Sequence, residues 1–128
     1  MDEQPDDFEA LLAGMREQFL DTSADRVGTI AREASRLAVS PDPSSSLAVL
    51  IREAHTLKGG GATFGFASLG DAGGRVEQAG KALAASGLPL DAVEPLHRAV
   101  SELQAVLDGL RRARPFSRQP VNDLPGGS

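Results

Sequence analysis

The sequence predicts an all-α protein, an antiparallel up-down four-helix bundle with an additional short N-terminal helix. Three observations lead there. Apolar residues recur at spacings of three and four through almost the whole chain, which is the period of an amphipathic helix. The period-two alternation of a half-buried strand has little support. Helix breakers gather in a few short segments, and short connections between long helices favour antiparallel neighbours. The 128 residues, 41% of them hydrophobic, suit one compact domain, and no internal repeat suggests a solenoid.

Phe8, Leu11, Leu12, Met15 and Phe19 define a first helix over residues 6–20, with Asp6 and Asp7 suited to its positive N-terminus. Asp21 to Ser23 offer capping oxygens, and Val27, Ile30, Ala31, Ala34, Leu37 and Ala38 carry a second helix to about residue 39. The segment SPDPSSS, Ser40 to Ser46, reads as a loop whose prolines end one helix and whose hydroxyls can cap the next. A third helix starting near Ser45 or Ser46 places Leu47, Leu50, Ile51, Ala54 and Leu57 on one face, and Gly59 to Gly61 are expected to release the chain from it. The fourth, Ala67 to Ala85, buries Leu69, Ala72, Val76 and Leu83. Its glycines each cost up to about 1 kcal/mol relative to alanine, so packing must hold it. After SGLPLD, Val93, Leu96, Val100, Leu103, Leu107 and Leu110 form a fifth helix ending near Arg112. The expected division is a disordered N-terminus over 1–5, the helical domain over 6–112 and a flexible tail over 113–128, where prolines and terminal glycines replace the periodicity.

Composition removes several functional classes. The chain has no Cys, so disulfides and thiolate metal sites are excluded, and no Trp or Tyr, which disfavours stacking on nucleic-acid bases. A net charge of −5 argues against binding to a phosphate backbone. The acidic start MDEQPDDFEA lacks the basic and apolar regions of a secretion signal, and no apolar run approaches a membrane span. A soluble, cytoplasmic, monomeric protein that works on other proteins is expected, with no bound cofactor or metal of its own.

The run AHTLKGGGATFGF, Ala54 to Phe66, concentrates the chemistry. At 100° per residue His55 lies about 100° from the centre of the third helix's apolar stripe, so it should face water at the edge of the bundle. Lys58 and Gly59 follow at i+3 and i+4, the spacings that bring helix side chains together. A neighbouring lysine disfavours imidazolium yet stabilises an anion attached to the ring, and missing side chains over Gly59 to Gly61 admit another protein's active site. By spacing alone, a solvated or C-capping histidine is the commoner reading. Elsewhere, GRVEQAGKA resembles a phosphate-binding loop but has the wrong glycine spacing and Ala82 in place of Ser or Thr. The GGG run follows no strand, and His97 has no partner at metal-ligand spacing.

HTLKGGGATFGF resembles the signature of the histidine phosphotransfer (HPt) family, written HxxKGxxxxxG, and is similar to the HPt domain that opens chemotaxis histidine kinases. His55, Lys58, Gly59 and Gly65 fall on the pattern. The likeness covers roughly residues 6–112, with motif-level agreement from Ala54 to about Glu77. It implies that His55 is phosphorylated on Nε2 and exchanges the group with an aspartate of a response-regulator receiver domain. It also implies a polar residue on the next helix that holds the other ring nitrogen. Glu77 occupies that place: it follows buried Val76 as His55 follows buried Ala54, and Gln78 takes the role if the helix is rotated. Lys58 would neutralise phosphoryl oxygens, and magnesium would arrive with the receiver. Arg52, Gly59, Gly60, Phe66, Ser68, Leu69 and Gly70 are the expected partner-binding residues, with a sensor or hybrid histidine kinase as the other partner. Three consecutive glycines, and more along the fourth helix, exceed what the family commonly carries.

The function expected is therefore a phosphorelay intermediate. Two alternatives are the N-terminal phosphoacceptor domain of a chemotaxis-type kinase and a helical adaptor without chemistry. No ATP-binding motif points to autonomous kinase activity.

Overall fold

The computed structural model describes the backbone of residues 3–113 and the side chains of residues 7–113, and among them every regular element is helical. Four α-helices, α1 (Glu3–Arg36), α2 (Pro43–Phe64), α3 (Ala67–Ala85) and α4 (Glu94–Ala113), are joined by short connections, the last containing a single 3-10 turn, Leu90–Ala92. Contacts run α1 to α2, α2 to α3, α3 to α4 and α4 back to α1, so the four close around one core. Leu20, Ile30, Leu50, Leu57, Leu69 and Leu103 lie there at no more than 1% exposure. Of the expected 113–128 tail, Ala113 closes α4 and residues 114–128 lie outside the described residues, as do residues 1–2 and the side chains of 3–6.

The additional N-terminal helix is not a separate element. Residues 6–20 and 24–36 belong to one helix of 34 residues, about 51 Å long against about 33 Å for α2. Nothing between them breaks the backbone: Ser23 is buried in register with Leu20 and Val27, and the Thr22 hydroxyl donates to the Gln18 carbonyl within the helix instead of capping a new one. Phe8, Leu11, Leu12 and Met15, expected to be core, are exposed on its first turns.

The start of α2 also differs from the serine cap expected. Asp42 is the N-cap, accepting the Ser45 N–H at 3.2 Å and the Ser45 hydroxyl at 2.8 Å, with Pro43 in the first turn, where a missing N–H costs nothing. The Ser45 hydroxyl and then its N–H hold the Asp42 carboxyl below its ordinary value.

The largest correction concerns the triple glycine, which lies inside α2. The helix ends one turn later at Gly65, whose φ of 84° is the left-handed conformation that suits glycine, and the Gly65 and Phe66 N–H groups both return to the Gly61 carbonyl. Close approach of α2 and α3 explains Gly61 and Gly73. A Cβ on Gly61 would stand 2.5 Å from the Gly70 backbone nitrogen, and one on Gly73 would stand 3.2 Å from the Ala54 carbonyl oxygen. At Gly60 it would meet the Phe19 ring, which stacks on Phe64 and Phe66.

Candidate functional site

The close pairing of α2 and α3 builds the site. Ala54 and Leu57, both fully buried, fix the rotation of α2 and turn the intervening His55 outward, leaving its side chain 70% exposed. On α3, buried Val76 and Gly73 set the rotation that directs Glu77 at the α2 seam, where its side chain is only 5% exposed. Glu77 Oε2 lies 2.9 Å from His55 Nδ1. An ionised carboxylate can only accept, so Nδ1 carries the proton of the neutral ring and Nε2 is left with its lone pair. Among the described residues, Nε2 has no protein hydrogen-bond partner.

Two lysines flank this pair. Lys58 runs its methylene stem over Gly74, to which an added Cβ would come 3.5 Å from Cδ, and its Nζ stands 4.0 Å from Glu77 Oε1. Lys81 reaches back from four residues later on α3 to place Nζ 3.1 Å from Oε2. Burial pushes the Glu77 carboxyl up, but the hydrogen bonds from Lys81 and His55, with their charges, outweigh it and hold the group below its ordinary value. Glu77 is thus an ionised, almost buried acceptor, while its other oxygen, Oε1, is buried without a hydrogen bond.

His55, Lys58 and Glu77 come together as the sequence suggested, and Gln78 does not: it is exposed and lines a cleft of about 730 Å³ that also takes in Lys58 and the α4 residues Arg98 and Glu102. Arg52, Gly59 and Ser68 are exposed on α2 and the start of α3, and Gly60 is half-buried beneath Phe19. Phe66, Leu69 and Gly70 correct the expected docking rim. Phe66 is 5% exposed between Phe19 and the Arg16 guanidinium, Leu69 is fully buried, and Gly70 is buried against α2. An apolar residue just before or within the first turn of α3 packs inward because Gly61 and Gly70 bring the two helices so near. Lys81 was missed by sequence reasoning, though its i+4 spacing from Glu77 was a readable signal. His97 is half-buried on α4, and the loop-like GRVEQAGKA is regular helix within α3. Among the described residues no group of three or more His, Asp or Glu side chains could hold a metal ion, and no helix is long and apolar enough to cross a membrane.

An exposed histidine on a closed helical bundle, held through one nitrogen by a carboxylate of the neighbouring helix, defines a class of protein that holds an oriented imidazole at its surface. The family comparison gives the class its name: the Hpt domain matches residues 14–113, and the chain belongs to that family, whose members carry out histidine phosphotransfer in phosphorelay signalling. No curated protein and no solved structure matched the chain.

Proposed function

We propose that His55 is the phosphoacceptor of a phosphorelay protein, exchanging a phosphoryl group with receiver-domain aspartates in a two-component system. The observation that carries this reading is the 2.9 Å contact between His55 Nδ1 and a nearly buried, ionised Glu77, on a ring whose other nitrogen faces solvent. In the proposed step neutral Nε2 attacks phosphorus in line. The Nε2–P bond forms, the P–O bond to the partner's aspartate breaks, and that aspartate leaves as a carboxylate. The Nδ1 proton stays on the ring, where Glu77 accepts it and stabilises the positive charge that develops. Lys58 swings its ammonium to the phosphoryl oxygens, and the receiver's magnesium supplies the rest of the charge compensation. A sensor or hybrid histidine kinase stands upstream.

The four helices are proposed to run up and down in antiparallel order, which their short connections and the cyclic contacts support. The protein acts as a cytoplasmic monomer in this reading. Arg52, Gly59 and Ser68, all exposed beside His55 on the α2–α3 edge, are the residues proposed to meet the receiver.

Incubating the purified chain with a phosphorylated receiver domain tests the proposal. An acid-labile, alkali-stable phosphoprotein is expected, and His55→Gln should abolish it. Undiminished labelling of that variant refutes the assignment.

A further inference from the structure

Glu77 has two effects on His55 that oppose each other. Accepting Nδ1–H selects the tautomer in which Nε2 is a nucleophile. A negative charge beside an imidazole, however, also favours imidazolium, in which Nε2 is protonated and inert. A balancing charge is needed on the carboxylate, and it has to be one that phosphoryl binding does not draw away. Lys58 does not meet this requirement. Its Nζ is 4.0 Å from Oε1, beyond hydrogen-bond distance, and its proposed partner is the incoming phosphoryl group.

Lys81 does meet it. Its Nζ stands 3.1 Å from Oε2, the same oxygen that lies 2.9 Å from His55 Nδ1. It comes from the same helix as Glu77, four residues on, so the α3 backbone holds the two in reach whatever docks on α2. We propose that Lys81 is a positioning residue acting through Glu77: by sharing Oε2 with Nδ1–H it offsets the carboxylate's charge, so that Glu77 fixes the tautomer without drawing a second proton onto Nε2. The inference rests on His55 being the phosphoacceptor.

The charged groups around the pair come from two helices. On α2 they are Lys58 and, one turn before His55, Arg52; on α3 they are Glu77 and Lys81. Among the described residues α1 and α4 contribute no ion pair to either His55 or Glu77. Offsetting the carboxylate also weakens its support for the ring's developing positive charge. That loss is small, because a loose phosphoryl-transfer transition state places little bonding on the nucleophile, whereas the neutral fraction scales the rate directly on the acid side. Lys81 is 58% exposed, so solvent screens it and the effect is modest.

The test is the rate of His55 phosphorylation by phosphoramidate, a donor that needs no docking partner, across the pH range for the parent, Lys81→Met and Lys81→Arg. Lys81→Met is expected to move the acid limb to higher pH, lowering the rate about two- to threefold on that limb and leaving it unchanged in the alkaline plateau. Lys81→Arg keeps the parent profile. A loss of equal size at every pH, an unmoved acid limb, or an arginine variant that behaves as the methionine one overturns the proposal. A nitrogen-15 NMR titration of the His55 ring in the unphosphorylated proteins reads the same balance without phosphate chemistry. Its midpoint should rise in Lys81→Met, and an unchanged midpoint overturns the role of Lys81. Should the parent take no label at His55, the phosphoacceptor reading fails while this titration still decides the inference.

Discussion

The charge of one almost buried carboxylate governs the chemistry proposed for His55. Glu77 stays ionised because Lys81 and His55 together outweigh the cost of its burial, and an ionised Glu77 is what leaves Nε2 free. Replacing it by alanine should slow phosphorylation of His55 by about tenfold to a hundredfold through loss of ring orientation, and equal rates for Glu77→Ala and the parent would remove that role. The lowered carboxyl also links stability to pH. Its folded value lies below the unfolded one, so its contribution is complete above the unfolded value and is lost as pH falls through the folded one. Urea-unfolding midpoints of the parent and Glu77→Gln should therefore differ most near neutrality and converge in acid, and a gap independent of pH would contradict the ion-pair account. Much of this residue-level picture was legible beforehand, since Ala54 and Val76 fixed the faces on which His55 and Glu77 had to lie. Phe66 was not, because its burial depends on how near α3 comes to α2, a distance that helical periodicity does not encode, whereas the burial of Leu69 followed from the apolar stripe of α3 and ruled it out of the docking rim.

That distance belongs to the helices as elements, and the glycines set it. Gly61 and Gly59 sit two residues apart in α2 with opposite roles. A Cβ on Gly61 would press within 2.9 Å of Gly70 and the Phe66 carbonyl, which are backbone atoms that cannot swing aside. Gly61→Ala should cost about 1–3 kcal/mol and, by spreading α2 from α3, slow phosphorylation of His55 as well. Around Gly59 nothing lies within 4 Å, so Gly59→Ala should stabilise the helix by about 0.5–1 kcal/mol. Chemical denaturation of the two variants checks the contrast, and a stabilising Gly61→Ala would refute the close-contact reading. The triple glycine looked like a helix end in the sequence because glycine serves both as terminator and as contact surface, and only the position of α3 separates the two uses. The opposite ambiguity arose in α1, where Asp21, Thr22 and Ser23 have the chemistry of a cap but lie inside one continuous helix, with Ser23 buried in register between Leu20 and Val27.

For the whole molecule, four helices close around one core, and the edge between α2 and α3 carries the exposed His55 ring. The all-helical class was legible because the apolar spacing persists from Phe8 to Leu110, and α3 and α4 fall close to the residues expected of them. The segment GRVEQAGKA, the one stretch that resembled a phosphate-binding loop, is regular helix within α3. Labelled ATP with magnesium should leave the purified chain unlabelled, and a kinase should be required to bring the label from ATP to His55. Labelling by ATP alone would show a chemistry beyond this account. The most direct test is the bond itself: phosphorus-31 and nitrogen-15 NMR of the protein after exposure to a phosphorylated receiver. The account predicts a single phosphoryl group on His55 Nε2 with Nδ1 still protonated. A phosphoryl group on any other residue, or on Nδ1, would contradict it.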